Sequence, residues 1–426
     1  MRLDELQVRD GSLLIAGPPQ TCSMLAMAGQ LKHLVVPGFI DTHVHFRQPG
    51  QAHKEGIGNG CLAALAGGVT TVLDMPNTRP STCTAAALKA KRRLWKERGL
   101  IGWGLFVGYA AGVPTPASLC IDPAGIAALK VFMARSGDCG ALTDPELLAS
   151  LMLSWPRIAV HAEDETVFPL NNAGLTHADC RPRAAVVSAL HRLETAFKLA
   201  ERRSGRLPDC CVLLLHLATR EEVQWVRRMK DRGYNLRAET CPHYLYFSEA
   251  DLAEYGAQIQ VNPPIRDGED QAALWQALAD GTIDILSSDH APHTPAEKAS
   301  TNPPSGIPGV ERMWPLLALA AESGRITWQR ALALAAQNAA SCYGLAGRGE
   351  LVDGARADLV VLRRQPAKVN GSARKIITRA GYDAYKHLQF PWEVERVLIS
   401  GKTAWEQSVR RAVPLAEEVY AVKSSG

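Results

Sequence analysis

From Phe39 onward the chain alternates short, apolar, β-rich segments with longer stretches of helical period. The short segments predict strands over Phe39–His45, Thr70–Met75, Ile101–Gly108, Ala127–Met133, Arg157–Glu163, Val212–Leu217, Asn235–Cys241 and Asp284–His290. Between them the pattern predicts helices, among them Ala85–Arg98, Asp144–Leu153, Ala184–Arg203, Arg220–Arg232 and Asp270–Ala279. Arg98-Gly99 and Arg232-Gly233 read as helix ends, each with a cation in the last turn and a glycine beyond it. The strands are near-continuous apolar runs, as expected when both faces of a parallel sheet are buried. Strand–helix repeats of this kind over about 300 residues predict an α/β fold, a (β/α)8 TIM-like barrel.

The flanks read differently. Residues 1–36 carry a few short strands with turns at Gly11, Gly17-Pro18-Pro19 and Gly29, too few for a core of their own. After about Leu345 the helical pattern stops, and Gly349–Leu362 reads as a turn followed by a strand. Glu393–Ile399 and Thr403–Trp405 read as a hairpin around Gly401. Chain termini often lie close together. We therefore expect residues 1–36 plus 345–426 to build a small β-sandwich domain, and residues 37–344 to be the catalytic barrel.

Composition adds limits. The chain has 426 residues, 46% hydrophobic and 21% charged, with a net charge of +4. That is ordinary globular usage, without the basic, aromatic-interleaved stripe of a nucleic-acid binder. Met1–Gly17 has no apolar core of signal-peptide type, and no apolar run reaches the roughly 18 residues that span a membrane. The ten cysteines form no Cys-x-x-Cys pair and read as reduced thiols of a cytoplasmic protein. The basic helix Lys89–Arg98 reads as a solvated outer face.

The chemistry gathers at the strand ends, where barrels of this kind place their active sites. In Asp41-Thr42-His43-Val44-His45-Phe46-Arg47, residues two apart share a face, so His43 and His45 aim into one space and Arg47 shares their parity. Taken alone, such a pair reads more readily as two half-buried histidines satisfied by backbone. Corresponding positions of other strands add Lys130, His161, His216 and Asp289. A lysine inside an apolar strand is costly unless paired or chemically altered. Jointly these residues point to a metal site.

Pro37–Gly50, Met75-Pro76-Asn77-Thr78, Leu129-Lys130, His161-Ala162-Glu163, Asn262-Pro263-Pro264-Ile265-Arg266, Ser288–Thr294 and Pro304–Glu311 together resemble dihydroorotase, within the cyclic amidohydrolase superfamily. The likeness runs from about Leu34 to Leu362. It implies two zinc ions: His43, His45 and Asp289 on the first, His161 and His216 on the second, with carboxylated Lys130 and a hydroxide bridging them. It further implies reversible cyclisation of N-carbamoyl-L-aspartate to dihydroorotate in pyrimidine biosynthesis, with hydroxide attacking the cyclic amide and Asp289 as the catalytic proton carrier. Arg47, Asn77 and His293 would bind the substrate carboxylate, and Asn262 would contact the ring. Arg266 is as readily a surface residue.

Two stretches depart from the family. Gln48 stands where a glutamate is usual, which would change a charge behind the site, and Ala367–Trp392 does not match the usual tail. Two other readings therefore stay open. One is a related cyclic-amide hydrolase of allantoinase or hydantoinase type, whose substrates lack the ring carboxylate that Arg47 would hold. The other is a non-catalytic scaffold partnering aspartate transcarbamoylase, which should have lost metal ligands. The expected partners are the small-molecule substrate and a second copy of the chain, with no nucleic acid or membrane.

Overall fold

The computed structural model describes residues 13–15, 31–110, 120–137, 139–366 and 376–420. Most of residues 1–30, and 367–375 of the atypical tail, lie outside them. In chain order the strands are β1 Leu13–Ile15, β2 His33–Pro37, β3 Phe39–Val44, β4 Val69–Asp74, β5 Gly102–Leu105, β6 Val107–Gly108, β7 Leu129–Phe132 and β8 Arg157–His161. They continue as β9 Cys211–Leu214, β10 Leu236–Thr240, β11 Ile285–Leu286, β12 Leu359–Arg364, β13 Trp392–Ile399, β14 Lys402–Glu406, β15 Arg411–Ala412 and β16 Glu417–Glu418.

Strands β3 to β11 form the barrel. Every pairing among them is parallel, in the order β3-β4-β5 and then β6-β7-β8-β9-β10-β11. The run expected as one strand over Ile101–Gly108 breaks at Phe106, where its partner changes from β4 to β7. The ring closes where Val44 bridges His290 and the His45 N–H donates to the His290 carbonyl at 2.8 Å. Closure removes the sheet edges. The strands are buried almost throughout, consistent with their unbroken apolar runs. Helices fall between them, including Ile57–Ala66, Ala85–Arg98, Pro145–Ser154, Arg183–Ser204, Arg220–Asp231 and Gly268–Asp280. Thr219 starts Arg220–Asp231 with a capping box closed by Glu222.

The helix Ala85–Arg98 departs in one position from the solvated face expected of it. Lys91 is fully buried, its Nζ 2.9 Å from Asp74 Oδ2 and donating to the Met75 carbonyl at 2.6 Å. Sequence periodicity does not reveal a cation whose partner lies on a strand beneath the helix.

Both flanks meet in one mixed sheet ordered β1-β2-β12-β13-β14-β15. Its alternating residues divide between two faces. Leu34, Val36, Val360 and Leu362 join the main core, whereas Val35, Leu359, Val361 and Leu398 form a separate cluster. Among the described residues this unit is one sheet, without a second facing layer. Strand β16 lies elsewhere, parallel to β5 of the barrel. The atypical tail also packs on the barrel: Thr378 Oγ1 donates to Glu55 Oε2 at 2.5 Å, and Arg312 pairs with Asp383.

Candidate metal centre

His43 is the penultimate residue of β3, and His45 lies just past its end. Their rings stand 5.3 Å apart, and Asp289, beyond β11, reaches the same point. Asp289 Oδ1 lies 3.3 Å from His43 Nε2 and 3.1 Å from His45 Nε2. Ligand atoms of the three residues fall within 4.8 Å of one another. The far side of each ring is engaged: His43 Nδ1 donates to Glu239 Oε1 at 2.9 Å and His45 Nδ1 to Asn77 Oδ1 at 2.7 Å. Protons held there leave both Nε2 lone pairs facing Asp289, the arrangement that orients histidine ligands toward an ion.

A second pair adjoins the first. His161 Nδ1 faces His216 Nε2 at 2.9 Å, and the His216 ring lies 5.4 Å from that of His43. His161 Nε2 donates to Glu163 Oε2 at 2.8 Å, so its Nδ1 carries the lone pair. Arg181 Nε in turn donates to Glu163 at 3.0 Å, and Arg181 and His161 together draw this buried carboxyl down to about 2 against its desolvation. Lys130 projects from β7 into the same space and acts electrostatically on all four imidazoles. Its Nζ is fully buried with no hydrogen-bond partner among the described residues, and burial pulls the ammonium down to about 8. Desolvation also pushes the four imidazoles below their usual range. Neutral imidazoles, one carboxylate and a stranded amine fit a divalent cation better than they fit each other.

Three of these strand-end residues have left-handed backbone: Arg47 with φ 62°, His216 with φ 41° and Asp289 with φ 42°. Side-chain-bearing residues rarely adopt that region, and such strain collects at functional sites. It also means that strand parity does not place Arg47, although it still lines the cavity with His43 and His45.

The cavity over this cluster measures about 300 Å³. Its charged walls are Arg47, Lys54, Arg79, Arg135 and Arg181, with Asp289 the one acidic lining residue among those described. His293 and Pro304–Gly306, from the segment that follows β11, form one side. Asn77 is on the wall, with Oδ1 held by His45 and Nδ2 donating to Ser136 Oγ at 3.0 Å. Asn262 is also there, its Oδ1 buried and unpartnered among the described residues. Arg266 is not a surface residue: it is buried and donates to the Arg181 carbonyl at 2.7 Å. Gln48 caps a helix start, accepting from the Ile57 N–H at 3.1 Å.

Sequence reasoning missed Glu239, Glu163 and Lys54 as supports. Glu239 carried a usable signal, since an acid inside the apolar run Leu236–Cys241 demands a partner as Lys130 does.

A closed parallel barrel with histidines, a lysine and an aspartate at its strand ends is the architecture of a metal-dependent hydrolase. Comparison with known proteins agrees. The amidohydrolase family model matches residues 34–122 and 208–404. A dihydroorotase of Halobacterium salinarum is 38% identical over 341 residues, 78% of each chain. An allantoinase of Bacillus velezensis is 29% identical, covering 96% of this chain and 91% of its own. The crystal structure of dihydropyrimidinase from Brevibacillus agri matches in fold, with TM-score 0.76 at 23% identity over 90% of this chain and 87% of that one. The chain belongs to the amidohydrolase family and is a hydrolase.

Proposed function

We propose that the protein is a dihydroorotase, which interconverts N-carbamoyl-L-aspartate and dihydroorotate. The observation that carries this reading is the Arg47 guanidinium. It is 8% exposed, its Nε has no acceptor among the described residues, and its Nη2 faces His293 Nε2 at 3.1 Å. Burial lowers it only to about 10, so it is charged at neutral pH. A buried cation with no carboxylate in hydrogen-bond contact among the described residues is costly, and a substrate carboxylate is the planar anion that matches it. Allantoin and hydantoin rings carry no such group.

His43, His45 and Asp289 would hold one zinc ion, and His161 and His216 a second, with Lys130 as a carbamate between them. The lowered Lys130 amine supports this, because carboxylation needs the neutral form. When bound, the metal supplies Lewis-acid polarisation of the amide carbonyl and a water nucleophile at neutral pH. Asp289 would take the proton of the attacking water as the new carbon–oxygen bond forms and return it to the ring nitrogen as the carbon–nitrogen bond breaks. Arg47 and His293 orient the ring by its carboxylate, and Asn262 faces it from the opposite loop. A stretch of multifunctional protein CAD from Squalus acanthias that is 32% identical over 318 residues supports association with a further enzyme such as a transcarbamoylase.

The test assays carbamoyl aspartate and dihydroorotate in both directions, with metal content measured on the same sample. Turnover of both with bound metal is expected. No turnover beside brisk opening of allantoin or a hydantoin would assign the chain to that branch, and a folded, metal-free, inert protein would make it a scaffold.

A further inference from the structure

Lys54 lies in the loop after β3 and is 8% exposed. Its Nζ is 3.1 Å from His293 Nδ1 and 3.0 Å from Glu297 Oε1. An ammonium has donors only, so His293 Nδ1 accepts. Glu297 Oε2, at 3.7 Å from Nδ1, is beyond hydrogen-bond reach and does not compete. Burial, followed by the cations Arg47, Lys54 and Lys298, holds this imidazole neutral, lowered to about 2. A neutral ring that accepts at Nδ1 carries its proton at Nε2. That N–H points to the Ser305 carbonyl at 3.1 Å, and Arg47 Nη2 lies 3.1 Å from the same nitrogen. A carboxylate oxygen placed beside them would accept from Arg47 and share the Nε2 proton with the Ser305 carbonyl, which relieves the close approach of the two donors.

We propose that Lys54 is a positioning residue: by fixing the Nε2–H tautomer of His293 it makes that ring a donor beside Arg47 and so selects ring substrates that bear a carboxylate. Without Lys54 the proton can move to Nδ1, and the Nε2 lone pair then faces the carboxylate and repels it. The inference rests on the dihydroorotase reading for its substrate and on the residues alone for its tautomer.

The experiment uses the zinc-loaded enzyme and the variants Lys54→Met and Lys54→Arg. Nitrogen-15 NMR of labelled histidine, without substrate and with His293 assigned by its loss in His293→Gln, reads the tautomer. Steady-state kinetics on dihydroorotate read the rest. Wild type should show His293 protonated at Nε2, and Lys54→Met a shift toward Nδ1. Lys54→Met should raise KM about tenfold or more with kcat within about threefold, and Lys54→Arg should restore part of the loss. An unchanged tautomer overturns the proposal, as does an unchanged KM or a fall in kcat alone. If wild type does not turn over dihydroorotate the functional reading fails, while the tautomer measurement still decides the role of Lys54.

Discussion

Glu239 Oε1 lies 2.9 Å from His43 Nδ1, joining the seventh strand of the barrel to the first behind the cluster of His43, His45 and Asp289. The other oxygen accepts from Thr42 Oγ1 at 2.6 Å, so one carboxylate fixes two neighbouring side chains of β3. Burial pushes this carboxyl up to about 7. Glu239→Ala should leave His43 free to rotate. Groups behind a metal ligand typically contribute 10- to 100-fold in metal affinity or activity. Metal analysis after dialysis should show a loss on that order, and Glu239→Gln, which keeps one acceptor, should lose less. Retention of wild-type metal affinity in Glu239→Ala would remove this residue from the site.

Lys130 invites a second test. Its amine is buried without a partner among the described residues, an expensive state for a structural lysine. Lys130→Ala should lose most bound metal and most activity while circular dichroism stays native. Short carboxylic acids should restore part of the activity, because they can place an anionic oxygen where the carbamate would stand. A fully active, fully metallated variant would assign Lys130 a packing role.

Much of this was legible because barrel strands bury both faces, so any polar residue in them stands out. His43, His45, Lys130, His161, His216 and Asp289 are visible on that ground, and the structure brings them into one space. Residues held by pairing across long sequence separations are not. Glu239 stands out as an acid in an apolar strand, but its partner His43 lies 196 positions away and nothing local names it. Lys91 sits in a helix charged on most sides, where only the Asp74 beneath it distinguishes a buried cation from solvated ones. Arg47 reached the cavity through a left-handed turn that parity does not describe. The tail Thr378–Asp383 carries no periodic pattern, because its ties are scattered polar contacts, among them those to Glu55, Glu311 and Arg312.

Lys91 yields a stability prediction. Asp74 accepts from Lys91, from Trp95 Nε1 at 3.1 Å and from the Phe46 N–H at 3.1 Å, so the pair ties the helix to the end of β3. Removing one member leaves a buried charge uncompensated, which costs about 3–5 kcal/mol. Urea unfolding of Lys91→Met should show a loss of that size. The double variant Lys91→Met with Asp74→Asn should recover part of it, since no unpaired charge remains. Equal stability of wild type and Lys91→Met would mean that the pair contributes nothing net.

Arg47 decides between ring classes. Losing a hydrogen bond to a charged partner costs about 1.5–3 kcal/mol, roughly a 10- to 150-fold effect on kcat/KM. Arg47→Met should show at least that loss on dihydroorotate. Arg47→Lys should recover little, because a point charge cannot reproduce the planar fork. On dihydrouracil, the same ring without the carboxylate, both variants should resemble wild type, since the interaction they remove is one that this substrate never makes. The ratio of the two losses is therefore the informative quantity. A parallel fall on both rings would show that Arg47 supports the metal cluster at His45 rather than the substrate, and would return the allantoinase and hydantoinase readings to equal standing.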